Sequence, residues 1–177
     1  MIRKILSYGV LAGVIVGIPL SAITIGMGGH SAKYGMAIGY LIMLVGLSAV
    51  FVAIKRHRDL DLGGVIGFWP ALGMGLGISF VAGVIYVFAW ETACAIAHLD
   101  FANAYAKIEI AQQKAAGVSG AALAKFEGQM EQFKRDYANP FYRLPMTFIE
   151  IFPVGVLVSL VSAALLRNRR FLPLQRG

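Results

Sequence analysis

Of 177 residues, 58% are apolar and only 14% charged, which leaves too little polar surface to cover a core in water and excludes an ordinary soluble domain. The formal net charge of +7 would by itself suggest a nucleic-acid partner. Its distribution along the chain excludes that reading.

The charges leave long gaps. None falls within 5–29, 34–54 or 62–90, and within 144–166 the sole charge is Glu150. A helix rises about 1.5 Å per residue, so roughly 20 apolar residues cross a hydrocarbon core of about 30 Å. Each gap is long enough. Four transmembrane helices are expected, over about 5–25, 34–54, 69–91 and 145–166, in a single membrane domain of residues 1–177.

The first span follows Arg3 and Lys4. It is not read as a signal peptide. Its apolar run exceeds the roughly 7–15 residues of such a segment, and no small-x-small site closes it, because Leu20 stands at the minus-three position before Ala22. Within it Gly9, Gly13, Gly17 and Ser21 recur every fourth residue. Helices in lipid associate where small residues let backbones approach, so these positions predict a packing seam, within the bundle or between protomers.

The second span continues the theme with Gly35 and Gly39 and ends at the basic loop "KRHRDLDLGG". Short loops rich in Lys and Arg stay in the cytoplasm. With the N-terminus inside, Arg3, Lys4, Lys55, Arg56, Arg58, Arg167, Arg169, Arg170 and Arg176 all fall on that side, opposed only by Asp59 and Asp61. The basic balance is therefore a topology signal, with a secondary role for the "RNRR" tail in holding anionic lipid. Both termini are expected in the cytoplasm.

Trp69 and Trp90 bracket the third span. Their separation corresponds to about 31 Å of helix, matching two interfacial aromatic belts. Pro70 suits a first helical turn. Cys94 is the single cysteine, so no intrachain disulfide forms, and a packed apolar role is expected for it.

Over about 98–139 the pattern becomes amphipathic. Leu123, Phe126, Met130, Phe133 and Tyr137 keep heptad spacing. Phe101, Tyr105 and Ile108 begin a matching stripe that Ala111 and Ala115 continue. "AAGVSG" supplies a helix stop at Gly117 and an N-cap at Ser119, and Asn139-Pro140 closes the second helix. An extracytoplasmic αα-hairpin is expected, its seam buried against itself, the membrane domain or a partner.

The last span begins near Pro145 and repeats small residues at Gly155, Ser159 and Ala163. Glu150 lies about five residues in, roughly 8 Å along the axis. A charge at the bilayer centre costs about 2.5–3.5 kcal/mol, and less toward an interface. The acid therefore calls for a partner, and Arg143, Tyr86, Glu91 and Tyr142 are candidates. Pro153 lacks an N–H, frees the carbonyl of Ile149 and is expected to bend the helix there. Three roles compete: a hydrogen-bonded hub fixing the fourth span against the third; a Glu150–Glu91 pair carrying a proton or cation; or a seat for a polar head group or partner peptide.

The stretches "GYLIMLVGLSAVFVAIKRHRD" (39–59) and "YANPFYRLPMTFIEIFPVGVLVSLVSAALL" (137–166), with the order of elements around them, resemble the bacterial membrane-protein family catalogued as domain of unknown function 4199. Its most recognisable piece here is Asn139-Pro140 followed by Glu150, Pro153, Val154 and Gly155. The resemblance implies four spans with an extended helical stretch before the last, and a bacterial setting; the expected location is the inner membrane. It implies no activity. After "DLGG" this chain has Phe68, Trp69 and Pro70, a departure from the family's polar start.

Enzyme chemistry has little support. His30, His57 and His98 fall in separate segments without metal-ligand spacing, and "GMGGHSAK" lacks the spacing of a phosphate-binding loop. No catalytic residue, metal or cofactor is expected. The sequence therefore reads as an all-α integral membrane protein with a structural, assembly or interaction role. The bilayer is its medium, and a second copy or another membrane protein is its partner. The alternative is a small transporter or ion- or proton-conducting protein using Glu150.

Overall fold

The computed structural model describes residues 1–26 and 35–173. His30, Lys33, Tyr34 and Arg176 lie outside the described residues. Six helices follow in order: α1 (Ile2–Gly26), α2 (Gly35–Asp61), α3 (Phe68–Ile96), α4 (Phe101–Ala115), α5 (Gly120–Tyr137) and α6 (Pro140–Leu166). No strand occurs among the described residues. Four of the helices, α1, α2, α3 and α6, are long and apolar enough to cross a membrane.

These helices overrun the apolar gaps. α1 begins at Ile2, α2 continues to Asp61, α3 spans Phe68–Ile96, and α6 starts at Pro140 instead of Pro145. The early start of α6 has a local cause. Asn139 caps it, its side-chain oxygen accepting from the Phe141 N–H at 3.0 Å, and Pro140 occupies a position where no N–H is needed. The helix then runs unbroken through both Pro145 and Pro153.

α3 is the centre of the bundle, with α1 on one side and α6 on the other, while α2 packs chiefly on α1 and α6. The small residues make this arrangement. A Cβ on Gly9 would stand 2.5 Å from Val81 Cβ, one on Gly13 2.6 Å from Ile85 Cβ, and one on Gly17 2.8 Å from Ala89 Cβ. Nothing larger than hydrogen fits there, so the predicted seam lies inside the bundle, between α1 and α3. Ser21 continues it as a buried residue whose hydroxyl has no partner among the described residues.

A second seam joins α3 to α6. A Cβ on Gly155 would meet Ser79 Cβ at 2.6 Å, and one on Gly75 would meet Ser159 Cβ at 2.8 Å. The two serine hydroxyls lie 3.2 Å apart, and Ser159 also donates to the Gly155 carbonyl at 2.7 Å. These bonds satisfy hydroxyls that are fully buried.

α4 and α5 form a helical hairpin between α3 and α6. Gly117 adopts φ +85°, and the Val118 N–H reaches the Gln113 carbonyl, which stops α4 where the sequence placed the stop. Ser119 is at the N-cap of α5 as expected, but its side chain makes no capping bond.

Candidate functional site

At the hairpin end, α3 terminates on His98, a non-glycine residue with φ +48°, and the Leu99 N–H bonds back to Cys94 O at 3.0 Å. A side chain in this left-handed region is strained, and the turn holds it there. Asp100 then caps α4, accepting from the Asn103 N–H at 3.1 Å and from its side-chain amide at 2.5 Å. Those two donors hold the Asp100 carboxyl below the usual carboxylate range.

The heptad seam is aromatic at its root. Phe101 and Tyr137 have ring centroids 5.5 Å apart, and Tyr105 and Phe133 5.4 Å. Leu123, Phe126, Met130 and Phe133 are half-buried and Tyr137 is buried, while on α4 Ala102 and Ala106 are buried and Ala111 and Ala115 are exposed. The weak continuation of the α4 stripe through Ala111 and Ala115 is thus corrected. The root docks on α3. Trp90 lies edge-on to Phe101 at 5.2 Å and donates its indole N–H to the Tyr137 hydroxyl at 3.2 Å. Burial raises the pKa of that hydroxyl. Trp69 is 76% exposed but Trp90 only 7%. Trp90 is therefore an anchor for the hairpin, its N–H held by a buried partner.

Glu91 and Arg143 complete this junction. Arg143 donates from Nε to Glu91 Oε1 at 2.7 Å and from Nη2 to Oε2 at 2.6 Å, a bidentate pair joining α3 to α6. Its guanidinium also reaches the Tyr137 carbonyl at 3.3 Å and sits 5.8 Å from the centre of the Tyr137 ring. Around the pair opens a cleft of about 600 Å³, bordered by Trp90, Cys94, His98, Asp100, Lys134 and Tyr137. Glu91 thus spends both oxygens on Arg143, which argues against the Glu150–Glu91 pair.

Glu150 takes a different partner. Tyr86, buried in α3, donates its hydroxyl to Glu150 Oε2 at 3.0 Å. Of the four candidate partners this is the one realised among the described residues. On its other side the acid borders a hollow of about 310 Å³ with Gly39, Tyr40 and Met43 of α2. Because α6 starts at Pro140, Glu150 stands ten residues along the helix, about 15 Å from its first residue.

At the opposite end, Arg58 is fully buried. It donates to Asp59 Oδ1 at 2.7 Å, to Phe171 O at 3.0 Å and to Leu172 O at 2.6 Å, tying the chain that leaves α6 to the end of α2. Lys55 adds a 2.5 Å bond to Asp59. Asp61 meets His57 at 2.5 Å and is also paired with Lys4. Read as one more loop cation, Arg58 was missed as a structural residue. A signal existed: Leu47, Val50, Ile54 and Arg58 follow helical spacing, and all four are buried.

Three long apolar helices packed around a shared α3, with a helical hairpin between α3 and α6, give an all-helical fold in which four helices are long and apolar enough to cross a membrane, as those of a multi-pass membrane protein are. Over residues 7–168 the chain matches the family model described as "Protein of unknown function (DUF4199)", and it belongs to that family. No curated protein and no solved structure matches it.

Proposed function

We propose that this chain is a non-catalytic interaction or assembly protein of the bacterial inner membrane, with both termini cytoplasmic and the α4–α5 hairpin displayed outside. The observation that carries the reading is the junction at the hairpin root. Trp90–Tyr137 and Glu91–Arg143 fix the hairpin to α3 and α6, so a soluble element stands at a defined angle on the bundle. Small-residue seams fill the α1–α3 and α3–α6 interfaces, which suits a scaffold better than a conduit. Native co-purification from the membrane tests this. A stoichiometric partner lost on deleting residues 101–137 is the expected result, and a partner retained by the hairpin-less chain contradicts it.

Sidedness has its own test. A periplasmic reporter fused near Gly117 is expected to be active and one near Asp59 silent.

A second reading, a small transporter, draws on one observation: Glu150 borders a hollow between α2 and α6 while bonded to Tyr86. Proteoliposomes carrying wild type or Glu150→Gln separate the two. Proton or cation flux that the substitution abolishes favours transport, and absence of flux in both favours the scaffold.

A further inference from the structure

After α6 the chain does not trail away. Asn168 organises a tight turn, its side-chain oxygen accepting from the Arg170 N–H and its carbonyl from the Phe171 N–H, at 3.0 and 3.1 Å. Phe171 then packs edge-on against Phe51 of α2 at 6.4 Å, and Arg58 grips the carbonyls of Phe171 and Leu172. The segment is folded back on the bundle, and Arg167, Arg169 and Arg170 are left exposed on its outside.

Among the described residues no acid neutralises them. The two acids at this end are already engaged, Asp59 by Lys55 and Arg58, Asp61 by Lys4 and His57. Among the described residues Arg167, Arg169 and Arg170 have no carboxylate partner. They begin at the residue that caps the C-terminus of α6, where a helix of this length leaves the hydrocarbon. Arg3 and Arg56, also exposed, stand at the same end of the bundle.

From this we infer that the Arg167–Arg170 turn is a preorganised seat for the phosphate of an anionic phospholipid in the bilayer the bundle crosses. The inference rests on the membrane reading but not on which side of the membrane this end faces. Charge complementarity names the occupant. Guanidinium forks match phosphate oxygens, and cations just beyond a spanning helix favour anionic lipid. The Arg58 clamp adds the geometry, because a turn held against α2 binds without first being ordered.

The test is reconstitution in bilayers containing spin-labelled phosphatidylglycerol or phosphatidylcholine, reading the association of each label with the protein. Wild type is expected to prefer phosphatidylglycerol. Arg167→Gln, Arg169→Gln and Arg170→Gln should each lower that preference, by up to about five-fold (about 1 kcal/mol), and the triple variant should abolish it. Arg58→Met keeps the three charges but frees the turn, so its preference should fall as well. Phe171→Ala does the same duty should Arg58→Met not fold. Equal association of both lipids with wild type, or a triple variant with unchanged preference, overturns the inference, and so does a DNA oligonucleotide that displaces phosphatidylglycerol. A protein that associates with neither lipid overturns the membrane reading itself.

Discussion

Tyr86 donates its phenolic hydrogen to Glu150 at 3.0 Å, joining the middle of α6 to a buried position on α3. Glu150 is itself exposed on the outside of the bundle, so removing the donor leaves the acid without its protein partner but not enclosed. Tyr86→Phe is therefore expected to lower stability by the net value of one hydrogen bond, about 0.5–1.5 kcal/mol. Glu150→Gln, whose amide oxygen still accepts from Tyr86, should cost less. Thermal unfolding in a mild detergent, with the double variant completing a cycle, checks this. Equal losses from the two single changes would contradict the assigned bond.

The α1–α3 seam makes a size prediction. Gly13→Val places carbon 2.6 Å from Ile85 Cβ and 2.8 Å from the Ala82 carbonyl. Backbone lies on one side of that clash and cannot swing away, so a loss of about 1–3 kcal/mol or more is expected. Gly128, in α5, has open space around it. Gly128→Ala should raise stability by about 0.5–1 kcal/mol through the helix term alone. Chemical unfolding of the two variants side by side reads both signs.

Arg58 is a buried cation whose partners have no replacement. Arg58→Met leaves the carbonyls of Phe171 and Leu172 without their donor and removes one of the two cations holding Asp59. A loss of about 3–5 kcal/mol is expected, together with rapid proteolysis of the segment after Leu166. Arg58→Lys, unable to span the same set of acceptors, should fall between. A segment as protease-resistant in Arg58→Met as in wild type would show that the clamp is dispensable.

At the hairpin root, Arg143→Ala leaves Glu91 unpaired beside Trp90. The pair is partly exposed, so about 1–2 kcal/mol is the expected loss. Trp90 fluorescence should shift to the red as the Tyr137 contact loosens, with faster amide exchange confined to α4 and α5. Exchange that rises uniformly through the bundle would contradict a local docking role.

Asp100 gives the hairpin an acid sensitivity of known sign. Its pKa is lowered in the folded chain from the ordinary value of 3.8. Its contribution is therefore fully present above that value and is lost as pH falls through the lower, folded-state pKa. Asp100→Ala should cost the cap about 0.5–2 kcal/mol at neutral pH and flatten the decline of hairpin stability below pH about 4, which pH-dependent unfolding followed on α4 would reveal.

Much of this was legible in the sequence because hydrocarbon imposes a nearly one-dimensional rule. A run without charges is a span whatever it packs against, so the four long helices could be read from the gaps alone. Gly117 and Asn139-Pro140 likewise announce their turns by local chemistry. Helix ends were less readable, because α2, α3 and α6 continue into polar residues that cost a helix nothing in water or at an interface. The small-residue stripe declared a close approach, but its own spacing could not name α3 as the partner. Glu150 signalled a need for a hydrogen bond without saying which of four groups would supply it. Arg58 was hardest. Charge in a short loop predicts sidedness, and only the buried helical stripe running down to it betrays a structural role.

The contacts of α1 with α3 repeat every four residues on both partners: Gly9, Gly13 and Gly17 against Val81, Ile85 and Ala89. Such a rack meshes again only after a shift of about 6 Å, and smaller slips drive side chains into backbone. Axial sliding of α1 on α3 is thus confined to whole notches, with no continuum between them. The bundle resists graded deformation, and any second arrangement it adopts will differ from this one by a discrete jump.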